Sequence, residues 1–146
     1  MIARLPVTRA LAALLAAATG RPCGVGALPR TDAGAPEALP YCVLHPLPWD
    51  VQGAPFSDRS EDASALYQAV CVAETTEQAE WLADRVRAAV LERDRVTGRW
   101  LHQLDLQPGV TCRGRSIDID AGTEQAPGDG IVDYMIRFRL DLTSPA

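Results

Sequence analysis

A chain of 146 residues is long enough for one core of ordinary size, and 47% hydrophobic against 23% charged residues excludes a disordered polypeptide. The formal charge of −5 disfavours a binder of nucleic-acid backbones, which needs a cationic surface. All 14 basic residues are arginine, whose planar fork suits paired carboxylates at contacts between subunits.

The chain opens with MIARLPVTRALAALLAAATG, which has the basic head and apolar middle of a secretory signal. A helical wheel supports another reading. Val7, Leu11, Leu14, Leu15 and Ala18 fall on one side, with Arg9, Ala12, Ala13 and Ala16 on the other. A one-sided stripe predicts a helix over residues 6–19 docked on a core, stopped by Gly20 and Pro22. No segment is long enough to span a membrane.

RPCGVGALPRTDAGAPEALP follows, a Gly- and Pro-rich loop in which CGVGA has room for a short strand. Residues 41–44 read as a buried strand closed by prolines, which cannot donate to a ladder. WDVQGAPFSDRSEDAS is then a long polar excursion, of a length that is usually functional or mobile. In LYQAVCVAE, Tyr67, Ala69, Cys71 and Ala73 share one face, and Leu66, Gln68, Val70 and Val72 the other. Both faces are mostly apolar, which predicts a central strand covered on both sides.

Thr75 and Gln78 form a capping box opening a helix over residues 76–94, with Glu77 and Glu80 suited to its positive end. Ala79, Leu82, Ala83, Val86 and Val90 make its buried stripe, while Trp81 points roughly opposite. After Thr97 and Gly98, RWLHQLDL reads as a further short strand. In GVTCRGRSIDIDAG, Val110 and Cys112 share a face, but Ile117 and Ile119 are out of phase with them; a bulge near Gly114 restores the pattern. AGTEQAPGDG reads as a turn-rich loop. The last segment alternates strictly: Val132, Tyr134, Ile136, Phe138, Leu140 and Leu142 against Asp133, Met135, Arg137, Arg139 and Asp141. The order predicts one α+β domain over residues 1–146. Its mostly antiparallel sheet has four to five strands and two helices on one face, and becomes mixed if the second helix is a crossover.

Chemistry-bearing patterns are sparse. Cys23, Cys42, Cys71 and Cys112 contain no C-x-x-C; three lie in strand-like runs, which favours reduced structural thiols over disulfides. A Cys–His nucleophile would have to pair Cys42 or Cys71 with His45 or His102, yet those thiols are predicted buried, away from an electropositive setting. The acidic run at residues 57–62 lacks the spacing and turn glycine of a calcium loop. Asp118 and Asp120 on one strand face mimic a catalytic acid pair, which simple alternation also explains. No P-loop, G-x-G-x-x-G or G-x-S-x-G is present. These features predict no enzyme, cofactor or metal.

Several segments together resemble the tail terminator (minor tail) proteins of long-tailed bacteriophages: PYCVLHPLPWD, GAPFSD, LYQAVCVAETTEQAEWLADRVRAAVLERD and the closing DYMIRFRLDLT, about residues 39–143. The resemblance implies a virion subunit, assembled in the host cytoplasm, that forms a ring, typically a hexamer, on the head-proximal end of the tail tube. Its partners would be copies of itself, the tail tube protein and the head–tail connector, with genomic DNA only passing through the lumen and no membrane involved. The family offers no catalytic residues. Candidate assembly contacts are Trp49 and Phe56, as apolar anchors of the polar excursion, and Trp81 with Arg85 at helical spacing; intramolecular packing is the alternative for each. A neck or head-completion protein is the neighbouring reading. A small exported domain with paired cysteines is the reading from outside the virion class.

Overall fold

The computed structural model describes residues 1–53, 60–125, 128 and 130–145. Helix α1 (Arg4–Thr19) is followed by strands β1 (Cys23–Val25), β2 (Tyr41–Pro46), β3 (Asp50–Gly53) and β4 (Glu61–Ala73). Helix α2 (Thr76–Leu91) leads to the long hairpin of β5 (Thr111–Gln125) and β6 (Val132–Ser144). Among the described residues the sheet has six strands, where the sequence predicts four to five, in the order β1-β2-β4-β6-β5, with β3 beside β4. Every pair is antiparallel except β1–β2, and the fold is α+β. Since β4 and β5 both run antiparallel to β6, α2 carries the chain across β6.

Both helices lie on one face of the sheet. Val7, Leu11 and Leu15 of α1 and Leu82, Val86 and Val90 of α2 enclose a core with Leu44, Tyr67, Cys71, Ile136, Phe138 and Leu140. The wheel of α1 holds, with Gly20 closing the helix in the left-handed region at φ 70°. The capping box also forms: Thr75 Oγ1 accepts from Gln78 N at 3.2 Å, and Gln78 Oε1 accepts from Glu74 N at 3.3 Å.

Four expectations need correction. The polar excursion is partly ordered pairing, because Asp50–Gly53 extends the β2 edge along the start of β4. The register moves by one residue between Pro46↔Tyr67 and Asp50↔Ser64, a bulge that absorbs Pro48, which has no N–H to donate. Residues 101–110 form no strand; only Trp100 bridges back to Arg93, around a turn held by Asp94. Residues 121–125 continue β5 instead of looping. Finally, β4 is not covered on both sides. Tyr67, Ala69, Cys71 and Ala73 are fully buried beneath the helices, whereas Leu66, Gln68, Val70 and Val72 face outward and are half-buried.

The bulge expected near Gly114 is present, and β5 has two more, between Ile117 and Ile119 and between Asp120 and Gly122. The first brings Cys112, opposite Leu142, and Ile117, opposite Phe138, onto the helix side together. The second turns Ile119 outward, 40% exposed.

Candidate assembly surfaces

The apolar stripe of α2 faces the sheet, so Trp81, one position before Leu82, is carried outward and is 42% exposed. Arg85, one turn on, stacks its guanidinium 4.4 Å from the Trp81 ring centroid. Trp81 also borders a surface groove of about 350 Å³ with Thr75, Glu77 and Gln78. The structure therefore brings Trp81 and Arg85 together as a flat, outward aromatic–cation pair.

Trp49 behaves differently. It follows the β2–β3 bulge and lies against the core, edge-on to Tyr67 with centroids 6.2 Å apart. Arg4 of α1 covers it at 5.0 Å and donates from Nη2 to Leu47 O at 2.8 Å. Thr8 Oγ1 and the Tyr67 hydroxyl share a hydrogen bond of 2.9 Å, and burial raises the Tyr67 pKa. Trp49 thus joins α1 to the sheet and has only a half-buried ring left to offer outward, with its Nε1 buried and meeting no acceptor among the described residues. Phe56 lies outside the described residues.

The sequence-level chemical candidates are separated by the fold. His45 pairs with Gln68 on the outward face of the sheet, whereas Cys42 and Cys71 face the helices, so the sheet stands between that imidazole and both thiols. Asp118 and Asp120 do not share a face, because the bulge at 117–119 breaks the alternation that placed them together. Asp118 pairs with outward Arg139 at 3.7 Å, and Asp120 with Arg87 of α2 at 2.9 Å. Arg87 also donates to the Tyr134 hydroxyl at 2.9 Å and pairs with Asp84, which makes it a clamp between α2 and the β5–β6 hairpin. Acid Asp62 lines a groove of about 290 Å³ with Asp50, Asp141 and Arg113.

Two arrangements escaped the sequence. Trp100 lies between Arg93 at 3.9 Å and Arg115 at 4.8 Å, with Arg115 only 8% exposed and donating to Val90 O at 3.3 Å. Burial lowers the Arg115 pKa. The other is a row of cysteines, Cys23↔Cys42↔Cys71, across β1, β2 and β4. Its only sequence signal is that each cysteine falls in a short strand-like run; the register that aligns them is tertiary.

No family model matches the chain, and no curated protein sequence matches it. The fold has a solved counterpart: a chain in the virion of a native gene transfer agent (GTA) particle superposes with a TM-score of 0.56 at 19% identity. The match covers 90% of this chain and 85% of that one.

Proposed function

We propose that this chain is a structural virion subunit and acts as a tail terminator, forming a ring on the head-proximal end of a tail tube and presenting the surface to which the head connector joins. The observation that carries the reading is the fold likeness, over nearly the whole chain, to a component of the GTA virion. The resemblance of residues 39–143 to terminators supports the finer role. A subunit of a closed ring needs two unlike surfaces, since each copy meets its neighbours head to tail. The α2 side offers Trp81 and Arg85, and the opposite sheet face offers half-buried Leu66, Val70 and Val72 among charged neighbours. Aromatic and arginine side chains are the types that concentrate binding energy at such contacts.

The test mixes the purified chain with tail tubes and follows it by solution mass and negative-stain imaging. A ring seen at one tube end only, on tubes that no longer elongate, is the expected result. Binding to connector or portal rings instead would assign the chain to the neck. A chain that stays single-copy at high concentration with tube ends, and turns over a small molecule, overturns the structural reading.

A further inference from the structure

Cys23, Cys42 and Cys71 sit opposite one another on three successive strands of the sheet, with Cys42 in the middle. All are free thiols. Paired strands run about 4.8 Å apart, inside the range of about 4.4–6.8 Å between Cα atoms that a disulfide spans. The row as a whole is about twice that length, too long to close three sulfurs on one ion, and the described residues contain no three-ligand metal cluster.

Access to the three thiols is graded. Cys71 and Cys42 are 0% and 1% exposed, while Cys23, on the three-residue edge strand β1, is half-buried. The neighbouring Cys42 thiol lowers the Cys23 pKa below that of an ordinary thiol, whereas Cys23, Cys71 and burial raise that of Cys42; the Cys23 thiol itself donates to Gly24 O at 3.8 Å. The less buried of the two thiols is therefore the one whose pKa is lowered, and its buried neighbour the one whose pKa is raised.

We propose that Cys23 and Cys42 form an oxidation site in which Cys23 is the attacking thiol, Cys42 the resolving thiol and a peroxide the oxidant. The Cys23 thiolate attacks one peroxide oxygen; the O–O bond breaks, hydroxide leaves, and a sulfenic acid forms on Cys23. The Cys42 sulfur then attacks the Cys23 sulfur, forming S–S and breaking S–O, and its proton leaves with the hydroxyl as water. Two thiols lose two protons and two electrons, and hydrogen peroxide takes them up to become two waters. The product ties β1, which among the described residues pairs only with β2, covalently to the body of the sheet. This chemistry belongs to the isolated chain and stands or falls separately from the assembly reading.

The isolated full chain is treated with hydrogen peroxide, quenched, denatured, alkylated and weighed intact. Arg30, Arg59 and Arg99 place the four cysteines in different tryptic peptides, so the linkage can be mapped directly. The expected result is two thiols protected from alkylation, a linked 23–42 peptide pair that a reductant releases, and a higher denaturant midpoint for the oxidised chain. Cys23→Ser, a conservative change at a half-buried position, is expected to slow thiol loss by roughly tenfold or more. Cys42→Ala is expected to leave a dimedone-trappable sulfenic acid on Cys23; should that buried-site variant not fold, Cys23→Ser still decides. Four alkylatable thiols after peroxide, a 42–71 link, an intermolecular link, or unchanged kinetics in Cys23→Ser overturns the proposal.

Discussion

A single methyl group at residue 24 marks how closely the Gly-rich loop is held. A Cβ built on Gly24 would lie 2.1 Å from Ala27 O and 2.8 Å from Pro29 N, both backbone atoms that cannot swing aside. Gly24→Ala therefore has to displace either β1 or the loop over it, and is expected to lower stability by about 1–3 kcal/mol in denaturant titrations. Asp94 carries a different kind of constraint. Its carboxylate accepts from Thr97 N at 2.7 Å, Val96 N at 2.8 Å and the Thr97 hydroxyl at 3.2 Å, and these bonds lower its pKa. A depressed carboxyl pKa stabilises the folded turn above the unfolded pKa and ceases to do so as pH falls through the folded one. NMR titration is expected to place Asp94 below ordinary aspartates, with the Val96 and Thr97 amides shifting at the same low pH and falling silent in Asp94→Ala. Gly20 was readable in the sequence because a helix stop is local; Gly24 was not, because its neighbours arrive from a loop whose path only the tertiary structure fixes.

At the scale of elements, the legible pieces are those whose pattern answers to one buried face. The alternation of β6 and the stripes of both helices follow from that rule, and each is observed. What the pattern hid was polar pairing. Asp50–Gly53 and the first residues of β4 carry little apolar signal, and Gly122, at φ 77°, reads as a turn although it sits at a bulge of β5. The opposite error came at RWLHQLDL, whose apolar residues suggested a strand, while Trp100 is in fact held by two guanidinium groups. Bulges also decide how α2 is fastened, since the one at 117–119 is what turns Asp120 toward Arg87. Arg87 reaches two carboxylates and a phenol through one planar fork, which a lysine cannot reproduce. Arg87→Ala is expected to cost about 1–3 kcal/mol, and Arg87→Lys to recover less than half. A double-mutant cycle with Tyr134→Phe checks the clamp, with coupling of about 0.5 kcal/mol or more expected for residues in one network.

On the scale of the whole molecule, one-sided coverage of the sheet separates residues that hold the chain together from apolar residues that no element of the described fold covers. Sequence patterning treated both faces of β4 alike because Leu66, Val70 and Val72 are as apolar as a core demands; only the placement of both helices on the other side exposes the difference. The two tryptophans singled out for assembly make that separation measurable. Trp49 packs between Arg4 and Tyr67, so Trp49→Ala is expected to cost the monomer about 2–4 kcal/mol; if its half-buried ring makes no subunit contact, assembly falls only in proportion to that loss. Trp81 has its ring outward under Arg85, so Trp81→Ala is expected to leave the unfolding midpoint of the monomer nearly unchanged, within about 0.5 kcal/mol. If that ring anchors a subunit contact, its loss weakens assembly on tube ends by about 2 kcal/mol, roughly 30-fold in the concentration required. Arg85→Ala is expected to produce a smaller loss in the same direction, because its stacking orients the ring. Matched titrations of the three variants on tail tubes, beside denaturant curves of the free chains, separate the cases. A Trp81→Ala chain that caps tubes at the wild-type concentration would move the contact away from α2, leaving the outward sheet face as the next surface to mutate.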